Sequence, residues 1–121
     1  MRAPFGGFSP DGSEYIIELG PGETTPAPWS NIIANERAGF LITERGGGYT
    51  WAENSRENRL TPWSNDPASD PASEGLYLRD DETGEIWSPA ALPAGGGYFR
   101  VRHGFGYSAF EHTRDSIGSE L

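Results

Sequence analysis

Short stretches of alternating apolar and polar residues, interrupted by glycine and proline, recur along the 121-residue chain. Stretches with this two-residue period, rich in β-branched and aromatic residues, are typical of strands that pack one face on a core. No stretch has the apolar period of an amphipathic helix longer than two turns. The pattern predicts strands over residues 14–19, 29–34, 39–44, 49–51, 75–80, 85–88 and 98–103.

The predicted strands indicate an all-β fold with little or no helix. Turn signals such as residues 9–12 and 81–84 separate neighbouring strands, which favours antiparallel hairpins. We therefore expect an antiparallel β-sandwich in which residues 1–121 form one domain or part of one. Alternation is clearest over residues 98–103, and we expect its period to continue through Phe105, Tyr107, Ala109 and Glu111.

One long segment, residues 54–73, has neither a helical nor a strand period. It contains three prolines, with Asn, Asp and Ser between them. A segment of about 20 residues without secondary structure is uncommon in a compact domain, where it is usually functional or disordered. Because it also contains tryptophan and two arginines, we expect an ordered loop that binds a ligand or partner.

Composition excludes one class of partner. All nine basic residues are arginine, and 18 acidic residues bring the formal net charge to −9. A nucleic acid would be repelled by this charge, so nucleic acid is not an expected partner. A neutral sugar is indifferent to it.

Cysteine is absent, which excludes disulfides, thiolate metal ligands and thiol nucleophiles. The absence of cysteine favours a reducing compartment, so we expect a cytoplasmic location. No apolar run approaches the roughly 20 residues of a membrane span. Residues 1–7 lack the apolar segment of a signal peptide.

Residues 49–66 concentrate the side-chain types that bind sugars. Two tryptophans flank a polar run with two arginines. Indole faces pack on the C–H side of a pyranose ring, and guanidinium, amide and carboxylate groups hydrogen-bond its hydroxyls. No catalytic residue, metal site or cofactor is expected. The candidate sugar-binding residues are Tyr49, Trp51, Asn54, Arg56, Glu57, Arg59, Trp63 and Asp66.

Purely structural interpretations of the same features stay open. The charged residues 56–59 also fit a salt-bridged loop, and any single tryptophan fits the core of a small sandwich. Trp29 and Trp87 lie in predicted strands and are expected in the core. His103 and His112 lack a convincing third ligand and are expected to be structural. Residues 80–82 are expected to form a solvated turn rather than a calcium site.

Eight segments in order carry a family resemblance: residues 6–12, 25–35, 39–42, 48–51, 54–67, 77–80, 87–89 and 102–107. Together they resemble the N-terminal β-sandwich region of the glycoside hydrolase family 94 (glycosyltransferase family 36) sugar phosphorylases. Within that family the chain is most similar to the phosphorylase-like part of the cyclic β-1,2-glucan synthases. The resemblance runs through nearly the whole chain, and residues 54–67 are its most specific part.

The resemblance implies a fragment of a larger enzyme. Family members have a β-supersandwich, a helical linker and an (α/α)₆ barrel that carries the catalytic acid and the phosphate-binding residues. No part of this chain resembles the barrel, so no catalytic acid is carried over, and the sandwich is expected to continue beyond Leu121. The pocket-lining residues that the resemblance carries over are Tyr49, Trp51, Arg56, Arg59 and Trp63. It leaves open a parent attached to the inner membrane, with this region on the cytoplasmic side.

Three functions from different classes remain. The first is a non-catalytic, carbohydrate-associated fragment of a β-glucan-active transferase or phosphorylase that binds a β-glucan or glucoside weakly. The second is a protein-interaction or structural β-module. The third is a small free-standing glycosidase that uses Glu57 and Asp66 as paired carboxylates. The expected protein partners are the rest of the parent enzyme, with its (α/α) barrel, and a second copy that covers the exposed sheet as a homo-oligomer.

Overall fold

A computed structural model describes residues 5–121. The interpretation of residues 1–7 as lacking a signal peptide therefore falls mostly outside the described residues. Within residues 5–121 no helix is long and apolar enough to cross a membrane. This part of the chain contains ten strands and no helix: β1 Gly6–Phe8, β2 Glu14–Leu19, β3 Ser30–Ala34, β4 Ala38–Thr43, β5 Gly48–Ala52, β6 Leu78–Arg79, β7 Ile86–Trp87, β8 Phe99–Gly104, β9 Tyr107–Arg114 and β10 Ile117–Glu120.

Antiparallel pairing organises these strands into sheets. Five strands form one sheet in the order β1-β2-β8-β9-β10, and three form a second in the order β3-β4-β5. The strands β6 and β7 make a small separate hairpin. The predicted all-β, antiparallel sandwich is confirmed.

The core lies on the inner face of the five-stranded sheet. Ile17, Leu19, Val101 and Phe110 are buried there with Ala90, and side chains that include Trp29 and Ile42 pack against this cluster. Ile17, Val101 and Phe110 are directly opposite one another across β2, β8 and β9, so their burial forms one continuous apolar row. Since Ile42 belongs to β4, the three-stranded sheet closes the sandwich over this row.

Polar contacts also join the two sheets. The Asn31 Nδ2 group of β3 lies 2.9 Å from the carbonyl oxygens of Gly104 and Tyr107 and 3.1 Å from the Ser108 hydroxyl. The His103 ring bonds the Ser108 hydroxyl at 2.8 Å and the Trp29 carbonyl at 3.0 Å. This polar seam fixes how the three-stranded sheet sits on the five-stranded one.

Most predicted strands are present, and one is much shorter than predicted. β2 has the predicted bounds, whereas the strand predicted over residues 75–80 is reduced to Leu78–Arg79. Its partner β7 contains only Ile86 and Trp87, and Pro89 follows closely with no N–H to extend the ladder. The apolar residues of 75–77 therefore have no strand to pair with.

The predicted continuation of the alternation past residue 103 is wrong. Phe105 and Gly106 form the turn between β8 and β9, and Gly104 pairs directly with Tyr107. A two-residue turn pairs odd positions of β8 with even positions of β9. Ala109 and Glu111 therefore lie on the outer face with Arg102 and Arg100, rather than on the inner face with Val101.

Candidate functional site

Three aromatic side chains meet on the outer face of the three-stranded sheet. Tyr49 and Trp51 are two residues apart in β5 and so project from the same face. Their ring centroids are 5.3 Å apart, and Trp63 from the loop stacks on Tyr49 at 5.0 Å with 28° between the planes. We call Tyr49, Trp51 and Trp63 the aromatic stack.

Trp51 is the buried member of the aromatic stack. Its indole lies against Gly39 of β4, where an added Cβ would come within 2.5 Å of the ring. Only 9% of Trp51 is exposed, whereas Tyr49 and Trp63 are half-buried. Glycine at position 39 therefore makes room for the indole, and Trp51 supports the stack from below.

Arg59 completes the stack on its solvent side. The Cζ atom of Arg59 lies 5.5 Å from the centre of the Tyr49 ring, a distance at which a guanidinium attracts an aromatic face. Its Nε donates a hydrogen bond to the Ser55 carbonyl at 3.2 Å. The backbone of Arg59 also bridges to Trp51, so the residue is held to the edge of β5.

The loop of residues 54–73 is held to the sheet by polar contacts, some of them exposed and one buried. Glu74 accepts hydrogen bonds from the hydroxyls of Thr50 and Thr61, both at 2.7 Å. Asp70, only 4% exposed, accepts one from the Thr43 hydroxyl at 2.7 Å. An added Cβ at Gly47 would come within 2.6 Å of the Asp70 carboxylate, so only glycine at position 47 leaves room for the Asp70 side chain.

A groove of about 310 Å³ opens between this loop and the sheet. Trp63 forms part of its wall and thereby joins the groove to the aromatic stack. No arginine or histidine lines it within the described residues, and its polar groups are hydroxyl, amide and carboxylate. We call it the Trp63 groove; it is lined by Ala27, Pro28, Ser30, Leu41, Thr43, Trp63, Asn65, Asp66, Pro67 and Asp70.

Asp66 is the predicted site residue that lines this groove beside Trp63. Its carboxylate accepts hydrogen bonds from the Ser69 hydroxyl at 2.7 Å and from the backbone N–H groups of Ala68 and Ser69. These bonds, the Ser69 hydroxyl first, hold the pKa of Asp66 below its ordinary value. Asp66 is therefore an ionised acceptor near the groove.

The other three predicted residues lie away from the groove. Asn54 caps a turn by accepting hydrogen bonds from the N–H groups of Arg56 and Glu57, each at 2.9 Å. Arg56 and Glu57 are exposed and pair with each other at 3.2 Å. The structure thus brings together Tyr49, Trp51, Arg59, Trp63 and Asp66, and leaves Asn54, Arg56 and Glu57 on a solvent-exposed turn.

Sequence reasoning missed the buried polar residues that shape the groove. Glu44 is only 1% exposed, and its carboxyl group contacts the Thr25 hydroxyl and the Trp29 N–H. Thr43 and Asp70 are also buried. A usable signal was present: polar Thr43 and Glu44 directly follow the apolar residues of β4, at the end of that strand.

The two histidines hold separate structural positions. His103 belongs to the seam between the sheets, and burial lowers its pKa below the ordinary value. His112 donates from Nδ1 to the Tyr98 carbonyl at 2.8 Å and stacks on Phe99 with centroids 4.2 Å apart. Among residues 5–121 no cluster of three or more His, Cys, Asp or Glu side chains is arranged to hold a metal ion.

Known proteins match this chain along nearly its whole length. The family model of the glycosyl hydrolase 94 supersandwich domain matches residues 13–121. The cyclic beta-(1,2)-glucan synthase NdvB of Rhizobium meliloti (strain 1021) is 43% identical over 96% of this chain, and the match covers 4% of that protein.

Two phosphorylases match at similar coverage. The N,N'-diacetylchitobiose phosphorylase of Vibrio furnissii is 36% identical over 93% of this chain and 14% of its own length. The solabiose phosphorylase of Paenibacillus borealis is 32% identical over 97% of this chain and 15% of its own length. The chain therefore spans a small part of the length of each of these relatives.

Proposed function

The chain belongs to the glycosyl hydrolase 94 supersandwich family, as its sequence resemblance predicted, and from this premise we propose that it is a saccharide-associated module. In this proposal the module is part of a larger phosphorylase or glucan synthase, and it shapes or binds the sugar site without catalysing the reaction. The names of its relatives support the class of ligand, since each is named for a glucan or a disaccharide.

One observation carries the proposal: Trp63 both stacks on Tyr49 and lines the Trp63 groove. An aromatic wall beside hydroxyl, amide and carboxylate groups offers the two kinds of contact that a neutral sugar ring needs. Because Asp66 and Asp70 line the groove without a lining cation, anionic ligands are disfavoured. A neutral β-glucoside is the ligand that fits this combination.

The described residues give little support to the alternative of a free-standing glycosidase. A glycosidase needs one carboxylic acid with a raised pKa and a second carboxylate across the scissile bond. The pKa of Asp66 is lowered, and Glu57 is exposed and paired with Arg56. We therefore place the bond-breaking groups in other parts of a parent enzyme.

Titration with β-glucosides tests the proposal. We expect a saturable change in tryptophan fluorescence in the millimolar range, because Trp63 lies at the groove and few contacts are available. Release of glucose or glucose 1-phosphate is not expected. A flat titration with all β-glucosides and with oligomeric β-glucans would contradict the proposal.

Arg59→Ala should weaken β-glucoside binding about fivefold while cooperative melting is kept. The guanidinium lies over Tyr49 at the solvent side of the stack, where it can reach sugar hydroxyls. Arg56→Ala is the matched control, because Arg56 is exposed and contacts only its neighbour Glu57 among the described ion pairs. Calorimetric titration should show normal affinity for Arg56→Ala. Loss of cooperative melting in Arg59→Ala would instead show that Arg59 is needed to hold the loop to the sheet.

A second cleft, with apolar residues at its rim, supports an association of the chain with another protein surface. The cleft holds about 250 Å³ and reaches the core residues Phe110 and Ala90 from outside. Exposed Leu76 and Leu121 form its rim. Exposed apolar surface that leads into a core favours a protein neighbour. We propose that a second copy covers this cleft when the chain is isolated, and that the rest of the parent enzyme covers it otherwise.

Light scattering tests this association. We expect a dimer for the unaltered chain and a monomer for Leu76→Glu, because a charge at the rim must be desolvated on association. Phe105→Glu is the control, since Phe105 is exposed at the β8–β9 turn and does not line the cleft. A monomer for the unaltered chain would rule out the dimer.

A further inference from the structure

Glu44 spans the backbone segment that forms one wall of the Trp63 groove. Its Oε1 atom is hydrogen-bonded to the hydroxyl of Thr25, and its Oε2 atom accepts from the Trp29 N–H at 2.8 Å. Ala27 and Pro28, which line the groove, lie between these two contacts. One buried carboxyl group therefore holds both ends of the wall.

The protonation state of the Glu44 carboxyl group determines which groups at Thr25 and Ala27 have a hydrogen-bond donor. The Thr25 hydroxyl lies 2.6 Å from the Ala27 carbonyl oxygen, to which it donates, and also within bonding distance of Glu44 Oε1. A hydroxyl has one proton and cannot make two short, full-strength hydrogen bonds to two oxygens. If Glu44 carries a proton on Oε1, it donates to Thr25, Thr25 donates to Ala27, and every oxygen has a partner.

The surroundings of Glu44 favour the protonated form. Burial has the largest effect on the pKa of Glu44 and raises it; hydrogen bonds from Thr25 and Trp29 lower it by less, and the Asp70 carboxylate adds a small further rise. His103, which donates from Nε2 to the Trp29 carbonyl, is kept neutral because burial lowers its pKa. Arg45, the next residue in the chain, lines a different cavity with Glu23 and residues 95–97. No described ion pair joins Glu44 to a cation.

We propose that Glu44 is a positioning residue that acts as a neutral carboxylic acid and fixes the wall of the groove formed by Ala27 and Pro28. The inference rests on the proposed function only for its effect on saccharide binding. Ionisation of Glu44 places a buried charge near Asp70 and makes Glu44 Oε1 and the Ala27 carbonyl oxygen compete for the single Thr25 proton, so one of these two oxygens lacks a full hydrogen bond. One of the contacts that hold the wall at Thr25 is then lost, and the groove loosens.

Glutamine reproduces the protonated acid. In Glu44→Gln the amide nitrogen donates to Thr25 and the amide oxygen accepts from Trp29, so every contact is kept. We expect this variant to bind β-glucosides within about twofold of the unaltered chain, whereas Glu44→Leu loses about tenfold. Loss of binding in Glu44→Gln to the level of Glu44→Leu would overturn the inference.

The pH dependence of melting provides a test that needs no ligand. An acid whose pKa is raised on folding stabilises the folded state below its ordinary value of 4.5, and this contribution is lost as pH rises through the folded-state pKa. The melting temperature of Glu44→Gln should therefore match that of the unaltered chain near this value and exceed it increasingly at higher pH. A constant difference at all pH values would contradict the inference.

Infrared difference spectroscopy observes the proton directly. Between the unaltered chain and Glu44→Gln at neutral pH, we expect the carbonyl band of a protonated carboxyl group, which Glu44→Gln lacks. Absence of this band would overturn the neutral-acid inference. If the band and the pH dependence are present but no β-glucoside binds, the inference about Glu44 stands and the proposed saccharide function fails.

Discussion

Trp51→Ala is expected to lower the free energy of unfolding by about 4 kcal/mol, the loss typical of removing a buried tryptophan. Trp51 is buried against Gly39 and supports Tyr49, so its removal leaves a cavity beneath the aromatic stack. A domain of this size is stable by only about 5–15 kcal/mol, so the effect is large. Urea unfolding followed by circular dichroism measures it.

Comparison with Trp63→Ala distinguishes a tryptophan that stabilises the fold from one that contacts the sugar. Trp63 is half-buried, and its loss should lower the free energy of unfolding by only about 1 kcal/mol while it removes measurable β-glucoside binding. Calorimetric titration suits this comparison, because the tryptophan signal is itself changed. If Trp63→Ala destabilises as much as Trp51→Ala and leaves binding intact, the roles of the two tryptophans assigned from burial are wrong.

The strands were predictable from sequence because their periodicity is local. In β2, Ile17 and Leu19 face the core, and this two-residue period needs no knowledge of the partner strand. The bounds of β6 were not predictable, because they depend on the length of β7 and on Pro89. The side of the sheet occupied by Ala109 and Glu111 depends likewise on the turn at Phe105, which a simple continuation of the period passes over.

The candidate site was partly predictable for the same reason. Tyr49 and Trp51 share one face of a strand, and a nearby tryptophan in a proline-rich loop is a reasonable third member. The distinction between Arg59 and Arg56 was not accessible, because it depends on which side chain reaches Tyr49 and which turns to Glu57. Contacts such as Thr43 with Asp70 join residues 27 positions apart, and no local pattern predicts them.

On the outer face of the five-stranded sheet, acidic and basic side chains form ion pairs with one another. In the Trp63 groove, by contrast, the carboxylates have no lining cation among the described residues. Arg102 lies at the centre and donates to three carboxylates: Glu111 at 2.7 Å, Glu14 at 2.8 Å and Glu120 at 3.0 Å. These residues come from β2, β8, β9 and β10, so a single guanidinium joins four of the five strands.

Arg102→Met is expected to lower the free energy of unfolding by about 2 kcal/mol at neutral pH, an amount reduced from the value for a buried ion pair because the site is partly solvated. The Arg102 side chain is 23% exposed, and methionine keeps its apolar stem while removing the charge. Three carboxylates are then left close together, and the nearest remaining cation in the described part of the chain is Arg100, whose Nη1 lies 3.9 Å from Glu111. Urea unfolding at neutral and acidic pH measures the effect.

The difference between Arg102→Met and the unaltered chain should shrink as pH falls. The Tyr107 hydroxyl and then Arg102 hold the pKa of Glu14 below its ordinary value of 4.5, so the stability that this carboxylate contributes is present above 4.5 and lost as pH falls through the folded-state pKa. Protonation also removes the repulsion among the three acids. Arg79→Met is the control, because Arg79 and Asp81 form an exposed pair at 2.8 Å whose loss should change stability by about 0.5 kcal/mol or less. Equal effects of the two substitutions, or an Arg102→Met effect that grows in acid, would show that Arg102 does not hold these strands together.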